Sequence, residues 1–242
     1  MTVTRLQIGT SRLEKLPADV RSWFLDKSWM NFGDGPDMTP RTFRYYLRQY
    51  PLRMIVVGIG QRLFSRRELT ADPSLVAGYY EATNFQEWFF RRGDRLTFDD
   101  NSLGFIFSEH FFEHLFLDEA VSLMRECART LKRGGVIRTV VPDADLRTYE
   151  KPEPVGFPFG RLPFTDPRKH KTRWSVYMLA QALECAGLRP VPIRYCDRNG
   201  TFVDRDPASL DFECGPCADP HMVQSLQYVI KQRSLIIDGV KT

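Results

Sequence analysis

Between Leu96 and Asp143 the sequence sets two apolar runs on either side of a polar loop and an amphipathic segment, an order that few folds accommodate. Leu103-Gly104-Phe105-Ile106-Phe107 is nearly continuous in apolar character, as expected of a strand in a parallel sheet covered on both faces. Ser108-Glu109-His110-Phe111-Phe112-Glu113-His114 follows as a polar and aromatic loop. From Asp118 to Leu131, Ala120, Val121, Met124, Ala128 and Leu131 recur at helical spacing. Gly134-Gly135 reads as a turn into Val136–Val141, a second buried strand ended by Pro142-Asp143.

The flanking sequence offers weaker signals of the same kind. Arg5 to Gly9 and Trp29 to Phe32 read as strands, the second stopped by Gly33-Asp34-Gly35-Pro36. Leu16 to Leu25 has helical character, and Glu87-Trp88-Phe89-Phe90 is expected on a helix. Met54-Ile55-Val56-Val57-Gly58 is a further strand candidate. The stretch 39–78, aromatic and Arg-rich at Phe43, Tyr45, Tyr46 and Tyr50, reads as an insertion suited to a substrate lid or a dimer contact. Pro152 to Pro167 is a loop rich in Pro, Gly and Phe, and Ser175 to Ala186 a helix closed by Gly187. Val191 to Tyr195 and Ser234 to Val240 complete the strands.

Composition narrows the class. A chain of 242 residues suffices for one well-cored α/β domain, here spanning 1–242, and is short for two. With 43% apolar residues and no run of about twenty, no membrane span is expected. The first residues lack the apolar core of a signal peptide, and five scattered cysteines fit reduced thiols, so a cytoplasmic protein is expected. The net charge of +4 is spread out, and runs such as Arg62 to Arg67 read as a solvated face, which makes nucleic acid an unlikely partner.

The Ser108 to His114 loop and the Leu131-Lys132-Arg133-Gly134-Gly135 turn resemble the second half of class I S-adenosylmethionine (SAM)-dependent methyltransferases. The match is to small bacterial members with a Ser-Glu-His-x-x-Glu-His signature. Leu6-Gln7-Ile8-Gly9-Thr10 resembles their opening Leu-x-Ile/Leu-Gly-x-Gly, Trp29-Met30-Asn31 their Trp-Leu-Asn, and Tyr79 to Thr83 their Tyr-x-Asp-Ala-Thr. This resemblance implies a Rossmann-like α/β fold with a seven-stranded, mostly parallel sheet and helices on both faces. It also implies SAM as cofactor and direct, metal-free methyl transfer to oxygen or nitrogen on a small-molecule or saccharide-like acceptor. A homodimer is compatible with it. Met54 to Gly60 is a competing first strand and glycine loop, but Leu63 stands where its third glycine belongs.

By that resemblance Gly9, Thr10 and Ser11 flank the methionine part, Asp34 meets the ribose, and Glu81 or Asp94 lies near the adenine. Leu96, Phe98 and Ser108 complete the cofactor set. His110 is the expected general base, with Glu109 or Glu113 orienting it, because an imidazole near neutral pKa can take a proton from a hydroxyl or amine. His170 and Trp174 are expected near the substrate. Each has a plainer reading: Gly9 as a strand-ending turn, Asp34 as a loop acid, and the histidines as packing or surface residues. Three departures (Thr10 after Gly9, Leu103-Gly104 in place of Phe-Asp, Arg133 in place of Pro) keep open a degenerate, non-methylating relative.

Two other spellings carry chemistry. His110-Phe111-Phe112-Glu113-His114 matches the inverted zinc-protease pattern, in which two histidines four apart on a helix share a metal. Cys214-Gly215-Pro216-Cys217 matches a thioredoxin dithiol, and with Cys196 and His221 it could form a Cys₃His zinc site. The first needs a third ligand from a later helix and accounts for neither the strand before it nor the Gly-Gly turn after it. The second follows Asp211-Phe212-Glu213 in a loop near the C-terminus, whereas a thioredoxin dithiol follows a strand and opens a helix early in the domain.

Overall fold

A computed structural model describes residues 2–9, 23–33, 80–146, 170–205, 220–229 and 234–242. The insertion at 39–78, the Met54 strand candidate, most of the Leu16 to Leu25 helix, the Pro152 to Pro167 loop, and Thr10, Ser11, Asp34, Cys214 and Cys217 lie outside them.

The strands are β1 (Arg5–Ile8), β2 (Trp29–Gly33), β3 (Phe85–Glu87), β4 (Leu103–Glu109), β5 (Leu131–Val141), β6 (Arg189–Cys196), β7 (Phe202–Asp204) and β8 (Leu235–Val240). The helices are α1 (Leu117–Thr130), α2 (Val176–Cys185) and α3 (Pro220–Val229). The strands form one sheet in the order β3-β2-β1-β4-β5-β8-β6-β7. Pairing from β3 through β5 is parallel, and β8 joins β5 and β6 antiparallel. This is the Rossmann-like, doubly wound architecture, with one strand more than the seven expected. The addition is β7, a three-residue edge strand hairpinned onto β6.

Alternation along the strands sorts the apolar side chains into two cores. Leu6, Ile8, Ile106, Ile137 and Ile237 pack against α1 and α2 through Leu123, Met124, Leu179 and Leu183. Phe105, Phe107, Val136, Val140 and Ile236 pack on the other face against Met222, Leu226 and Val229 of α3. Burial on both faces explains why β4 and β5 read as unbroken apolar runs.

Both helices predicted in full form as expected. Helix α1 buries Ala120, Leu123, Met124, Cys127 and Ala128, and the Glu119 carboxylate accepts the Phe116 N–H at 2.9 Å at its start. In α2 the Ser175 hydroxyl accepts from the Met178 N–H, and Gly187 takes φ +84 just past the end.

Other boundaries moved. Glu87 to Phe90 is not helical: Phe85–Glu87 is β3, and the aromatics after it belong to no regular element. Gly134-Gly135 is not a separate turn, because β5 starts directly at Leu131 where α1 ends. A Cβ on Gly135 would lie 2.8 Å from the Lys132 carbonyl oxygen and 3.2 Å from that of Gly104, so a side chain there would force β4 and β5 apart.

Candidate active site

Strand order reverses between β1 and β4, both flanking neighbours being parallel to β1, so the carboxyl ends of these two strands lie at the topological switch point, where open α/β sheets bind ligands. Arg5–Ile8 therefore takes the central first-strand position for which two segments competed. Gly9 ends it at φ +99 and donates its N–H to the Phe32 carbonyl at 2.8 Å. A Cβ on Gly9 would sit 2.9 Å from the Cβ of Phe111. The glycine thus admits Phe111 against the end of β1. Phe111 in turn tilts against Trp88, which stacks on Phe32 at 5.1 Å.

At the end of β4, Ser108 is fully buried, sits in register with Ile8 and Thr139, and has a hydroxyl with no partner among the described residues. The chain then turns sharply. His110 adopts φ +51, a conformation costing a non-glycine residue about 1–3 kcal/mol. Its N–H donates to the Val140 carbonyl at 2.8 Å, which holds the turn. The His110 side chain is 40% exposed, while that of Glu113 is 2% exposed, and Nδ1 of the first lies 3.1 Å from Oε1 of the second. With Nδ1–H donating to the carboxylate, Nε2 is the nitrogen that can accept a proton. The second Glu113 oxygen, Oε2, is buried without a described partner.

Between Glu109 and Glu113 the geometry selects Glu113. Strand alternation puts Glu109 on the face of Phe105 and Phe107, whereas Phe112 and Leu115 beside Glu113 pack into the opposite core. Phe112–His114 is a single 3-10 turn, so His110 and His114 are not on one helix and the inverted zinc-protease geometry does not form.

The segment 170–174 returns to the same edge. Lys171 and Thr172 N–H groups donate to the Glu113 carbonyl at 2.7 and 3.1 Å, and the Thr172 hydroxyl donates to the Leu115 carbonyl at 2.7 Å. This clamp brings His170 to His114, ring centroids 5.3 Å apart. Trp174 is fully buried and bridges to Asp143 at the end of β5. Asp143 accepts from Cys196 N–H at 2.6 Å and Asp145 N–H at 3.0 Å, yet burial outweighs these bonds and raises its carboxyl above the usual range.

Several expected cofactor residues fall elsewhere. Glu81 precedes β3, on the amino edge of the parallel strands, where Lys27 ahead of β2 reaches the Ala82 carbonyl; it is on the wrong side of the sheet for the adenine. Asp94 spends one carboxylate oxygen closing its own turn on the Arg91 N–H at 2.7 Å. Leu96 is 3% exposed and bound through its backbone to Glu126 and Arg129 of α1, which makes it a core residue. Phe98 packs at 5.8 Å on Phe32, and its carbonyl accepts from Arg129. The Cys₃His alternative also fails for its described members. Cys196 ends β6 on the carboxyl edge, while His221 packs on Trp29 and pairs with Asp26 at the start of β2.

Residues 69–139 match the profile of a family described as a methyltransferase domain, a stretch that takes in β3, β4, the His110 turn and α1. Solved structures of similar shape include a complex of the Haloferax volcanii Trm112 methyltransferase activator with a protein assigned as a methyltransferase. It is 19% identical, covering 98% of this chain and 82% of that chain, with a TM-score of 0.47. A SAM-dependent methyltransferase from Aquifex aeolicus is 15% identical over 83% of this chain and 78% of that one, TM-score 0.41. Another from Archaeoglobus fulgidus is 15% identical over 99% and 86%, TM-score 0.43. No curated protein matches the sequence.

Proposed function

We propose that the chain is a SAM-dependent methyltransferase acting on an oxygen or nitrogen of a small-molecule or saccharide-like acceptor. The observation that carries this reading is the His110–Glu113 pair held at the carboxyl end of β4, beside the switch point of a Rossmann-like sheet. The methyltransferase profile over residues 69–139 supports it. When bound, SAM supplies an electrophilic methyl group on a sulfonium. The buried Ser108 hydroxyl, without a partner among the described residues, is a group that a polar ligand at this edge would satisfy. Gly9, Thr10, Ser11 and Asp34 would hold the cofactor from the ends of β1 and β2.

His110 then takes the acceptor's proton at Nε2 as the methyl is attacked. Glu113 fixes the imidazole tautomer through Nδ1 and stabilises the cation that forms. His170, clamped next to His114, contributes to the substrate side. The test is S-adenosylhomocysteine formation across a panel of hydroxyl- and amine-bearing sugars and aromatics. An acceptor that wild type methylates should be lost about a hundred-fold or more in kcat by His110→Ala, with KM for SAM little changed. Full activity in that variant removes His110 from the chemistry.

A degenerate binding protein is the second reading, and Phe111 seated against Gly9 is the observation that favours it. No SAM binding by the well-folded wild-type chain is its signature.

A further inference from the structure

Glu113, His114 and His170 place a carboxylate oxygen and two imidazole nitrogens within 4.8 Å of one another. This convergence is built by the backbone. The bonds from Lys171 and Thr172 to the Glu113 carbonyl, and from Thr172 to that of Leu115, bracket His114 and seat His170 beside it. The two rings meet edge to face at 79°, so they are not stacked. Glu113 adds an independent sign. Its side chain is 2% exposed, Oε1 is engaged by His110, and Oε2 is buried with no described partner. Such a half-satisfied buried carboxylate is a costly arrangement that a bound cation would relieve.

We propose that Glu113, His114 and His170 bind a divalent transition cation such as zinc. Two imidazoles and one carboxylate suit zinc and its neighbours, whereas calcium and magnesium call for oxygen ligands throughout. An ion would draw these donors in to about 2.0–2.1 Å, and both histidines are partly exposed. His110 would supply the outer hydrogen bond that ligating carboxylates commonly have. Three protein ligands leave an open position for water or an acceptor oxygen. The inference goes beyond the methyl-transfer reading and stands whether or not SAM binds. It also departs from the metal-free mechanism that the sequence resemblance implies.

The experiment is titration of the metal-free full chain with Co²⁺, followed by displacement with Zn²⁺. One equivalent of Co²⁺ should give visible ligand-field bands without near-ultraviolet thiolate charge transfer, and Zn²⁺ should erase them. His114→Ala and His170→Ala should each weaken binding by about a hundred-fold, whereas His221→Ala should not. Near-ultraviolet circular dichroism identifies any variant that has lost its fold, and the other then decides. No binding up to millimolar Co²⁺, binding through thiolates, or binding undiminished in the folded variant overturns the proposal. Calorimetry with SAM on the same samples reports separately on the cofactor.

Discussion

Two buried polar clusters flank the sheet, and they differ in how completely their bonds are made. On the α3 face, Arg138 of β5 is fully buried opposite Asp238 of β8 and grips it with both forks, Nε to Oδ1 at 2.9 Å and Nη2 to Oδ2 at 2.7 Å. Its Nη1 reaches the Ser225 hydroxyl at 2.9 Å and the Met222 carbonyl, fastening α3 to the sheet. On the other face, Glu113 has one oxygen on His110 and the other on nothing described, and the buried Ser108 hydroxyl also lacks a partner among the described residues. A saturated network fixes structure. The Glu113 cluster, next to a residue strained at φ +51, is bonded less completely among the described residues.

The largest effect expected from this contrast is on stability. Arg138→Met leaves Asp238 buried and unpaired and should cost about 3–5 kcal/mol in chemical denaturation. Adding Asp238→Leu should recover most of that loss, since apolar replacement of a whole buried pair is often neutral or stabilising. A small loss from the single variant would break the contrast from the structural side.

Glu113→Gln tests the opposite side. Its unfolding free energy should fall by no more than about 1 kcal/mol, while kcat falls about ten-fold or more at unchanged KM for SAM. A variant that unfolds but, when folded, turns over normally would make Glu113 another structural clamp.

Asp143 lies between the two cases, buried and bonded to two backbone N–H groups but with its carboxyl raised by desolvation. The folded state therefore holds its proton more tightly than the unfolded chain does. The stability it contributes is full below the ordinary carboxyl range and is lost as pH rises through the raised value. Urea midpoints measured from about pH 4 to about pH 7 should show wild type losing ground to Asp143→Asn as pH rises. A difference between the two that is flat with pH would contradict the assignment.

Local signals account for what is legible in the sequence. The β4 run, the α1 stripe and the α2 helix with Ser175 and Gly187 each carry their cause within a few residues, and each forms where expected. The aromatic run at Glu87 to Phe90 failed because four bulky residues have no period to distinguish strand from helix. Glu81 was misplaced because its position depends on which edge of the sheet precedes β3, a matter of topology rather than pattern. The choice of Glu113 over Glu109 hangs on one left-handed residue, His110, that no propensity would single out. The meeting of His114 with His170 rests on backbone bonds between distant segments, so no local motif could announce it.

Titration calorimetry with SAM and S-adenosylhomocysteine decides whether the carboxyl ends of β1 and β4 hold the proposed cofactor. Both ligands should bind the wild-type chain with Kd on the order of micromolar, and His110→Ala should bind them comparably. No heat of binding up to millimolar ligand, from a sample that unfolds cooperatively, would contradict the proposed cofactor.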